Sequence, residues 1–375
     1  MGFKRELLGF GAVLLTTLTF LFEYENNEVL VDIRPKPQIH IEVTSNSSIL
    51  SDSTNSTIPK NANTLDYGKT TKIYKLETPC TLNSTATNAK NLSPNSSNLP
   101  TIDATILIRI YPSDNANWTI VELEQWFEYL WYAGVDTIYL YDNYKTKNES
   151  LEKFCEKFEK VVYHDWSKFH PYSIKSTQVP AYVHAWKNYG IIKAKDSTRS
   201  RGHWLIHWDM DEYPFSKVDN DSGFFRRVLA LLIDNAKNPK NFKNGVNGNI
   251  MKSDVAEFSV SNHLFLGAPL LNTGHVLERY LRRDIRNVSN KLHKPIYDPT
   301  KIIQIGVHNN VPVGEAGGFA MKRWVDPEIL RMNHYWGARL QGWGRDTESS
   351  LAKTRFDDSM LDTVRKMRQD GWTRF

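Results

Sequence analysis

Between residues 102 and 307 the apolar positions switch repeatedly between two periods. Residues 105–110 (TILIRI) form an apolar run closed by Pro112, Ser113 and Asp114, which predicts a strand and its turn. Ile120, Leu123, Phe127, Leu130 and Trp131 then recur at helical spacing. Thr119 with Glu122 forms a capping box ahead of them, and Gly134 ends the run. Residues 137–141 (TIYLY) predict a second strand running into Asp142 and Asn143. A helix over 150–160, a short strand over 161–163 and a longer helix over about 176–195, with Pro180 near its start, follow. Residues 204–208 (WLIHW) read as a buried strand. Ser222 caps a helix carrying Val228, Leu229, Leu231, Leu232 and Ile233, and an Asn/Lys-rich loop spans 235–254. Residues 255–260 and 302–307 predict two more strands, with an irregular stretch at 267–274 between them. Such strand–helix alternation argues for an α/β fold with a mostly parallel central sheet and ligands at the carboxyl ends of its strands.

The patterning is different ahead of residue 101. Lys4 and Arg5 precede an uncharged apolar run, residues 7–22, closed by Glu23 and Glu25. No small-x-small cleavage site follows, so the run reads as an uncleaved signal-anchor helix (7–23) behind a cytoplasmic tail (1–6), with the remainder translocated. A cleaved signal peptide is the competing reading. Residues 44–64 hold 14 Ser, Thr or Asn in 21 positions, a composition that buries no core, so 24–100 read as a flexible stem. Sequons at Asn46, Asn55, Asn83, Asn91, Asn95, Asn117, Asn148, Asn220 and Asn287 suit glycosylation in a lumen. The expected organisation is completed by a catalytic domain over 101–350 and a C-terminal extension over 351–375. The predicted location is the Golgi or endoplasmic reticulum membrane, single-pass type II. The two cysteines would either pair, Cys80 with Cys155, or leave Cys80 to bridge two stems in a homodimer. The net charge of +5 is spread along the chain, so there is no nucleic-acid footprint.

The candidate chemistry lies where the 204–208 run ends in Asp209-Met210-Asp211, with Glu212 directly after. In an extended segment residues i and i+2 point to one side. Two carboxylates aimed together repel unless something positive lies between them, and a divalent cation, Mn²⁺ or Mg²⁺, is a natural partner for such oxygen ligands. Two acidic residues in an ordinary surface turn are the plain alternative. Asp142 has two readings, a ligand contact at a strand end or a turn residue. Residues 331–345 (RMNHYWGARLQGWGR) are aromatic, glycine-rich and basic, which suits either sugar and phosphate contacts or a packed cap.

Several blocks together resemble glycosyltransferase family 92 and its relatives in the GT-A superfamily. They are 126–143 (WFEYLWYAGVDTIYLYDN), Gln178 with Ala181-Tyr182 followed by WLIHWDMDEY, 259–283 (SVSNHLFLGAPLLNTGHVLERYLRR), 301–309 (KIIQIGVHN) and 331–336 (RMNHYW). They span about 102–345 in the family's order. The first strand ends in Arg-Ile-Tyr-Pro-Ser-Asp rather than the Lys-Asn-Glu type, and 301–309 lacks the usual Arg-Pro. The resemblance implies a GT-A-type nucleotide-sugar-binding fold. It implies a metal-dependent transferase using a UDP-sugar donor, commonly UDP-galactose, on a glycan acceptor, with inversion. Asp209 and Asp211 would hold Mn²⁺ or Mg²⁺, with a third ligand, His334 or else His308, from the C-terminal region. Arg109, Arg339 or Arg345 would face phosphate, and Asp142 the ribose or uracil. Glu278 is the candidate base for the acceptor hydroxyl, with Glu257, Asp254 and Glu315 competing. Two other classes compete: an Asp-x-Asp phosphotransferase, whose motif sits on the domain's first strand, and a non-catalytic, membrane-anchored glycan-binding protein or inactive transferase.

Overall fold

The computed structural model describes residues 98–110, 120–169, 174–237, 254–271, 273–285, 293–313, 320–336 and 348–372. The expected tail, anchor and most of the stem lie outside these residues, as do Cys80 and Thr119. Among the described residues no helix is long and apolar enough to cross a membrane.

The first strand, β1 (Thr101–Ile108), begins four residues earlier than the apolar run suggests, because Asp103 and Thr101 face hydrogen-bonding partners rather than water. Helix α1 (Ile120–Ala133) ends at Gly134, whose φ of +112° is a conformation that favours glycine. Next come β2 (Thr137–Asp142), α2 (Glu152–Cys155) and β3 (Val161–Asp165). The helix expected over 150–160 shrinks to α2, a single turn. Helix α3 (Ile174–Ala185) passes through a π-helical turn, Trp186–Gly190, into α4 (Ile191–Asp196). A Cβ on Gly190 would sit 2.4 Å from the Leu205 side chain, so the missing side chain is what lets this turn lie on the sheet.

Strand β4 (His203–His207) stops one residue short of the expected run, and β5 (Glu212–Phe215) follows after a turn. Helix α5 (Phe224–Lys237) starts behind Gly223, at φ +78°, so Gly223 rather than Ser222 stands at its entry. The later strands are β6 (Asp254–Val260), β7 (Asn262–Leu264), β8 (Arg282–Asp284) after the short helix α6 (Val276–Arg279), and β9 (Lys294–Tyr297). They continue as β10 (Ile302–Gln304), β11 (Val311–Pro312), β12 (Ala320–Trp324) and β13 (Arg331–His334). Helix α7 (Glu348–Leu351), β14 (Thr354–Phe356) and α8 (Leu361–Gln369) close the described chain.

Seven strands form one sheet in the order β12-β6-β9-β4-β1-β2-β3. All its pairings are parallel except those of β9, which is antiparallel to both β4 and β6. The mixed α/β architecture with a mostly parallel central sheet is therefore as expected. Two corrections apply. The 302–307 run is not a sheet strand; β10 forms a separate hairpin with β11. The strand between β6 and β4 is β9, a four-residue strand that sequence patterning passes over because Pro295 lacks the N–H a strand uses.

Period-two alternation sorts the sheet's side chains onto two faces. Ile102, Ala104, Ile106 and Ile108 of β1, Ile138 and Leu140 of β2, and Trp204 and Ile206 of β4 join Leu123, Trp126 and Phe127 of α1 and Val228, Leu229 and Leu232 of α5 in the main core. The opposite face carries Tyr139 and Tyr141 beneath Ala181 and Ala185, and Leu205 and Tyr297 beneath Tyr182 and Trp186. The expected C-terminal extension is not separate. Strand β14 pairs with β8, and Met360, Val364 and Met367 lie in the main core. Cys155 is a buried free thiol whose burial pushes its pKa up to about 12.

Candidate functional site

The strand order puts a crevice at one place. From β1 the chain builds outward through β2 and β3, then returns to the other side of β1 as β4. Ligands in open α/β sheets bind outside the carboxyl ends of strands at such a reversal. Register aligns that edge. Ile108 pairs with Asp142, Asp142 with Asp165, and Thr105 with His207. Arg109 and Asn143 thus leave the sheet side by side, and the turn from Trp208 to Asp211 leaves its same end three residues earlier in the register.

Two strands running the other way bring residues to the same edge. Because β9 is antiparallel to β4, with Ile206 opposite Ile296, its first residue, Lys294, lies level with the end of β4. Strand β13 is antiparallel to β5, with His334 opposite Glu212, so its last residue is also delivered here. Tyr335 N–H donates to the Asp211 carbonyl at 2.8 Å and holds that register.

The Asp-x-Asp segment is not extended. Glu212 N–H donates to the Asp209 carbonyl at 2.9 Å, and the Glu212 carboxylate accepts the Asp209 N–H at 2.8 Å, closing a turn. The side chains therefore part company, contrary to the strand-based expectation. Asp209 Oδ2 lies 3.2 Å from Lys294 Nζ, and its Oδ1 accepts from Gln178 Nε2 at 3.1 Å. Asp211 Oδ2 lies 2.9 Å from His334 Nε2. Glu212 Oε2 is 3.1 Å from Lys294, and its Oε1 is 3.7 Å from His334 Nδ1. Of the three carboxylates only Asp209 meets solvent, at 20% exposure, against 0% for Asp211 and 1% for Glu212.

Burial pushes the Glu212 carboxyl up against the pull of Lys294. Burial also works against the Lys294 ammonium, but Asp209 and Glu212 outweigh it and hold its pKa above the ordinary value. His308 Nδ1–H donates to the His293 carbonyl at 3.1 Å. Burial and then Lys294 lower its pKa to about 4, so it is neutral at pH 7. The Asn262 amide nitrogen lies 2.9 Å from His334 Nδ1; an amide N–H donating there leaves the ring proton on Nε2, hydrogen-bonded to Asp211, whereas ligation of a cation through Nε2 requires the opposite tautomer, with the proton on Nδ1.

Among the described residues no three His, Cys, Asp or Glu side chains stand grouped to hold a metal ion as they are. One pair of the expected donors does stand together. Two ligands of one divalent cation at about 2.1 Å and a right angle lie roughly 3 Å apart. That is the spacing of Asp211 Oδ2 and His334 Nε2. Asp209 is held on Lys294 and Gln178 instead, so it would join that pair at a cation only by turning its carboxylate away from those partners.

Other expected site residues are placed differently. Arg109 Nη2 donates to Asn143 Oδ1 at the carboxyl edge. Asp142 turns inward. It is 1% exposed, and its Oδ2 accepts from Leu151 N–H at 2.7 Å and Tyr163 O–H at 3.1 Å, so it anchors the loop into α2 instead of facing a nucleoside. Glu278 is also corrected. Both its oxygens bind Arg368, at 2.6 and 2.7 Å, and Oε2 accepts the His275 N–H in the capping box of α6. These donors overcome burial and lower its pKa, which leaves a weak base held on structural partners. Glu257 is buried on Ser259 Oγ and Asn310 N–H. Asp254 begins β6, at the opposite edge of the sheet, while Glu315, Arg339 and Arg345 lie outside the described residues. Sequence reasoning passed over Lys294 altogether. Its only signal is a basic residue heading a short apolar KPIY run, which is too little to mark a site.

Asp142 gives a pH prediction. Burial raises its pKa from 3.8 to about 6, so folding favours its protonated form. The stability this lends is complete below about pH 4 and is lost as pH rises through 6. Asp142→Asn is therefore expected to raise stability by about 1–3 kcal/mol at pH 7.5 and by little at pH 4. Urea unfolding at both pH values checks it; a variant less stable at pH 7.5 would contradict the assignment.

No family model matches this chain, and no curated protein does. Several solved structures show a distant likeness, these two among them. The 4-diphosphocytidyl-2C-methyl-D-erythritol synthase from Anaerococcus prevotii DSM 20548 is 11% identical, covering 70% of this chain and 96% of that one, with a TM-score of 0.30. HddC from Yersinia pseudotuberculosis is 12% identical, covering 63% and 93%, also with a TM-score of 0.30. At that score neither bears on what this chain binds.

Proposed function

We propose that this chain is a divalent-cation-dependent glycosyltransferase that moves a sugar, galactose foremost, from a UDP-sugar to a glycan acceptor with inversion. In this reading it works in the lumen of the secretory pathway behind an N-terminal membrane anchor. The observation that carries the proposal is the Asp209–Glu212 turn at the reversal of strand order, with His334 delivered onto Asp211 at 2.9 Å. The five sequence blocks that resemble family 92 support the same reading.

Asp209, Asp211 and His334 would hold Mn²⁺ or Mg²⁺, and an imidazole among the ligands favours Mn²⁺. Such a cation supplies charge stabilisation to a leaving diphosphate. The chain's own residues do the rest. Gln178 and Lys294 fix the Asp209 carboxylate, and Asn262 positions the His334 ring, so the acidic turn is oriented before a donor arrives. Arg109, at the end of β1, adds positive charge beside the crevice.

A phosphotransferase fits less well, because the acidic turn follows the fourth strand of the sheet rather than the first. A screen of nucleotides and nucleotide sugars by thermal shift, with and without Mn²⁺, tests the proposal, followed by Mn²⁺-dependent hydrolysis of the best donor. Stabilisation by UDP only with Mn²⁺, and donor turnover, are expected. Binding without turnover would favour the glycan-binding or inactive alternative, and no response to any nucleotide would reject a donor site.

A further inference from the structure

We infer that Asn148 carries a glycan and that the folded chain leaves Asn220 bare, although each heads a sequon, Asn148-Glu149-Ser150 and Asn220-Asp221-Ser222. The inference rests on the lumenal placement in the proposed function. These are the two sequons within the described residues. Glycosylation joins the Asn amide nitrogen to C1 of a sugar supplied as an oligosaccharide on a lipid diphosphate. The N–C1 bond forms, the bond from C1 to the diphosphate oxygen breaks, and the amide gives up one proton as the lipid diphosphate leaves. The product is a secondary amide, planar and trans, so the sugar takes the place of the hydrogen cis to Oδ1. What surrounds that hydrogen separates the two sequons.

Asn148 is exposed, in the turn that follows β2. Its Oδ1 accepts from Thr146 Oγ1, and among the described residues no hydrogen bond engages its Nδ2. Asn220 is clasped by α8. Its Nδ2 donates to Asp362 Oδ2 at 2.8 Å, and its Oδ1 accepts from Lys366 Nζ. A carboxylate only accepts and an ammonium only donates, so the amide cannot be turned the other way. The two partners lie 3.5 Å from each other. They stand that close only if Nδ2 donates through the hydrogen cis to Oδ1, because the other hydrogen points away from the oxygen's side. Asp362 Oδ2 therefore occupies the position that C1 would take. Lys366 also reaches Asp221 Oδ1 at 2.6 Å, and Tyr132 O–H donates to the Asn220 carbonyl at 3.0 Å, which ties this sequon to α1 and α8 at once. Since Val364 and Met367 of α8 lie in the main core, a glycan on Asn220 competes with docking of that helix.

The test is glycopeptide mapping of the full chain made in a secretory eukaryotic cell. Protease-resistant, detergent-extracted protein is denatured and treated with a peptide N-glycosidase in heavy-oxygen water, which labels each formerly glycosylated Asn. Label is expected at Asn148 and not at Asn220. On gels Asn148→Gln is expected to lose the mobility shift of one glycan, and Asn220→Gln to migrate as wild type does. Asp362→Ala empties the position beside Nδ2; the Asp362 side chain is 49% exposed, so the fold is expected to survive and Asn220 to gain label. Label on Asn220 in wild type, or a bare Asn148 beside labelled stem sequons, would overturn the assignment alone. So would an Asn220 that stays bare in Asp362→Ala, because local sequence rather than α8 would then protect it. Absence of label from every sequon would reject the lumenal reading, and the assignment with it.

Discussion

Asp209→Asn and Asp211→Asn are each expected to slow sugar transfer by about 10²-fold or more and to abolish the Mn²⁺-dependent stabilisation by UDP. Each removes one charge from a three-carboxylate turn while keeping the side chain's size. If the two carboxylates faced each other without a counter-charge, neutralising one would raise stability. The structure alters that expectation, because each already has its own partner. Asp209 lies on Lys294 and Gln178, and Asp211 on His334. The asparagines keep a hydrogen-bond acceptor but lose the ionic part. Stability should therefore fall modestly, by about 1–2 kcal/mol each. Separating the two effects is the point of the measurement. Activity and melting temperature are read on the same preparations, with and without Mn²⁺ plus UDP. Variants that keep full Mn²⁺–UDP stabilisation, or lose activity only in proportion to folded fraction, would reduce the turn to a structural feature.

The largest stability effect is expected at a site away from the crevice. Arg227 and Asp219 form a buried pair with two bonds, Nε to Oδ2 at 2.7 Å and Nη2 to Oδ1 at 3.0 Å. Their side chains are 4% and 0% exposed. Arg227 also donates to the carbonyls of Ser222 and Asp221, so the guanidinium gathers the whole connection between β5 and α5. Asp219→Ala leaves that guanidinium buried with carbonyl partners only. The expected loss is about 3–5 kcal/mol, since removing one partner strands the other's charge. Asp219→Ala combined with Arg227→Met removes both charges and should recover a large part of it. Urea unfolding of the single and double variants measures this. A loss below about 1 kcal/mol for Asp219→Ala would mean that water or the carbonyls already satisfy Arg227.

Local pattern was enough to identify several elements. Short apolar runs in TILIRI, TIYLY and WLIHW marked β1, β2 and β4, because a strand covered on both faces needs apolar side chains at successive positions. Gly134 marked the end of α1, because its positive φ is a property of one residue. The same local logic misled where tertiary contacts decide. The helix expected over 150–160 is one turn, and β9 was missed because Pro295 argues against a strand when read alone. Asp142 sits at a strand end, as expected, but its carboxylate turns to Leu151 and Tyr163. A strand end specifies where a residue is, not which partners its side chain finds.

By itself, the sequence determined the α/β class, the strand carrying the acidic turn and the identity of Asp209 and Asp211, since these depend on residues within a few positions of one another. Only the tertiary structure decided what those carboxylates face. Lys294 lies 85 residues from Asp209, and His334 lies 123 residues from Asp211. Both arrive because β9 and β13 run antiparallel to the strands beside the turn, which places the first residue of one and the last residue of the other at the same edge. Strand direction and order arise from how the whole sheet buries its two faces, and no local spacing in the chain encodes them.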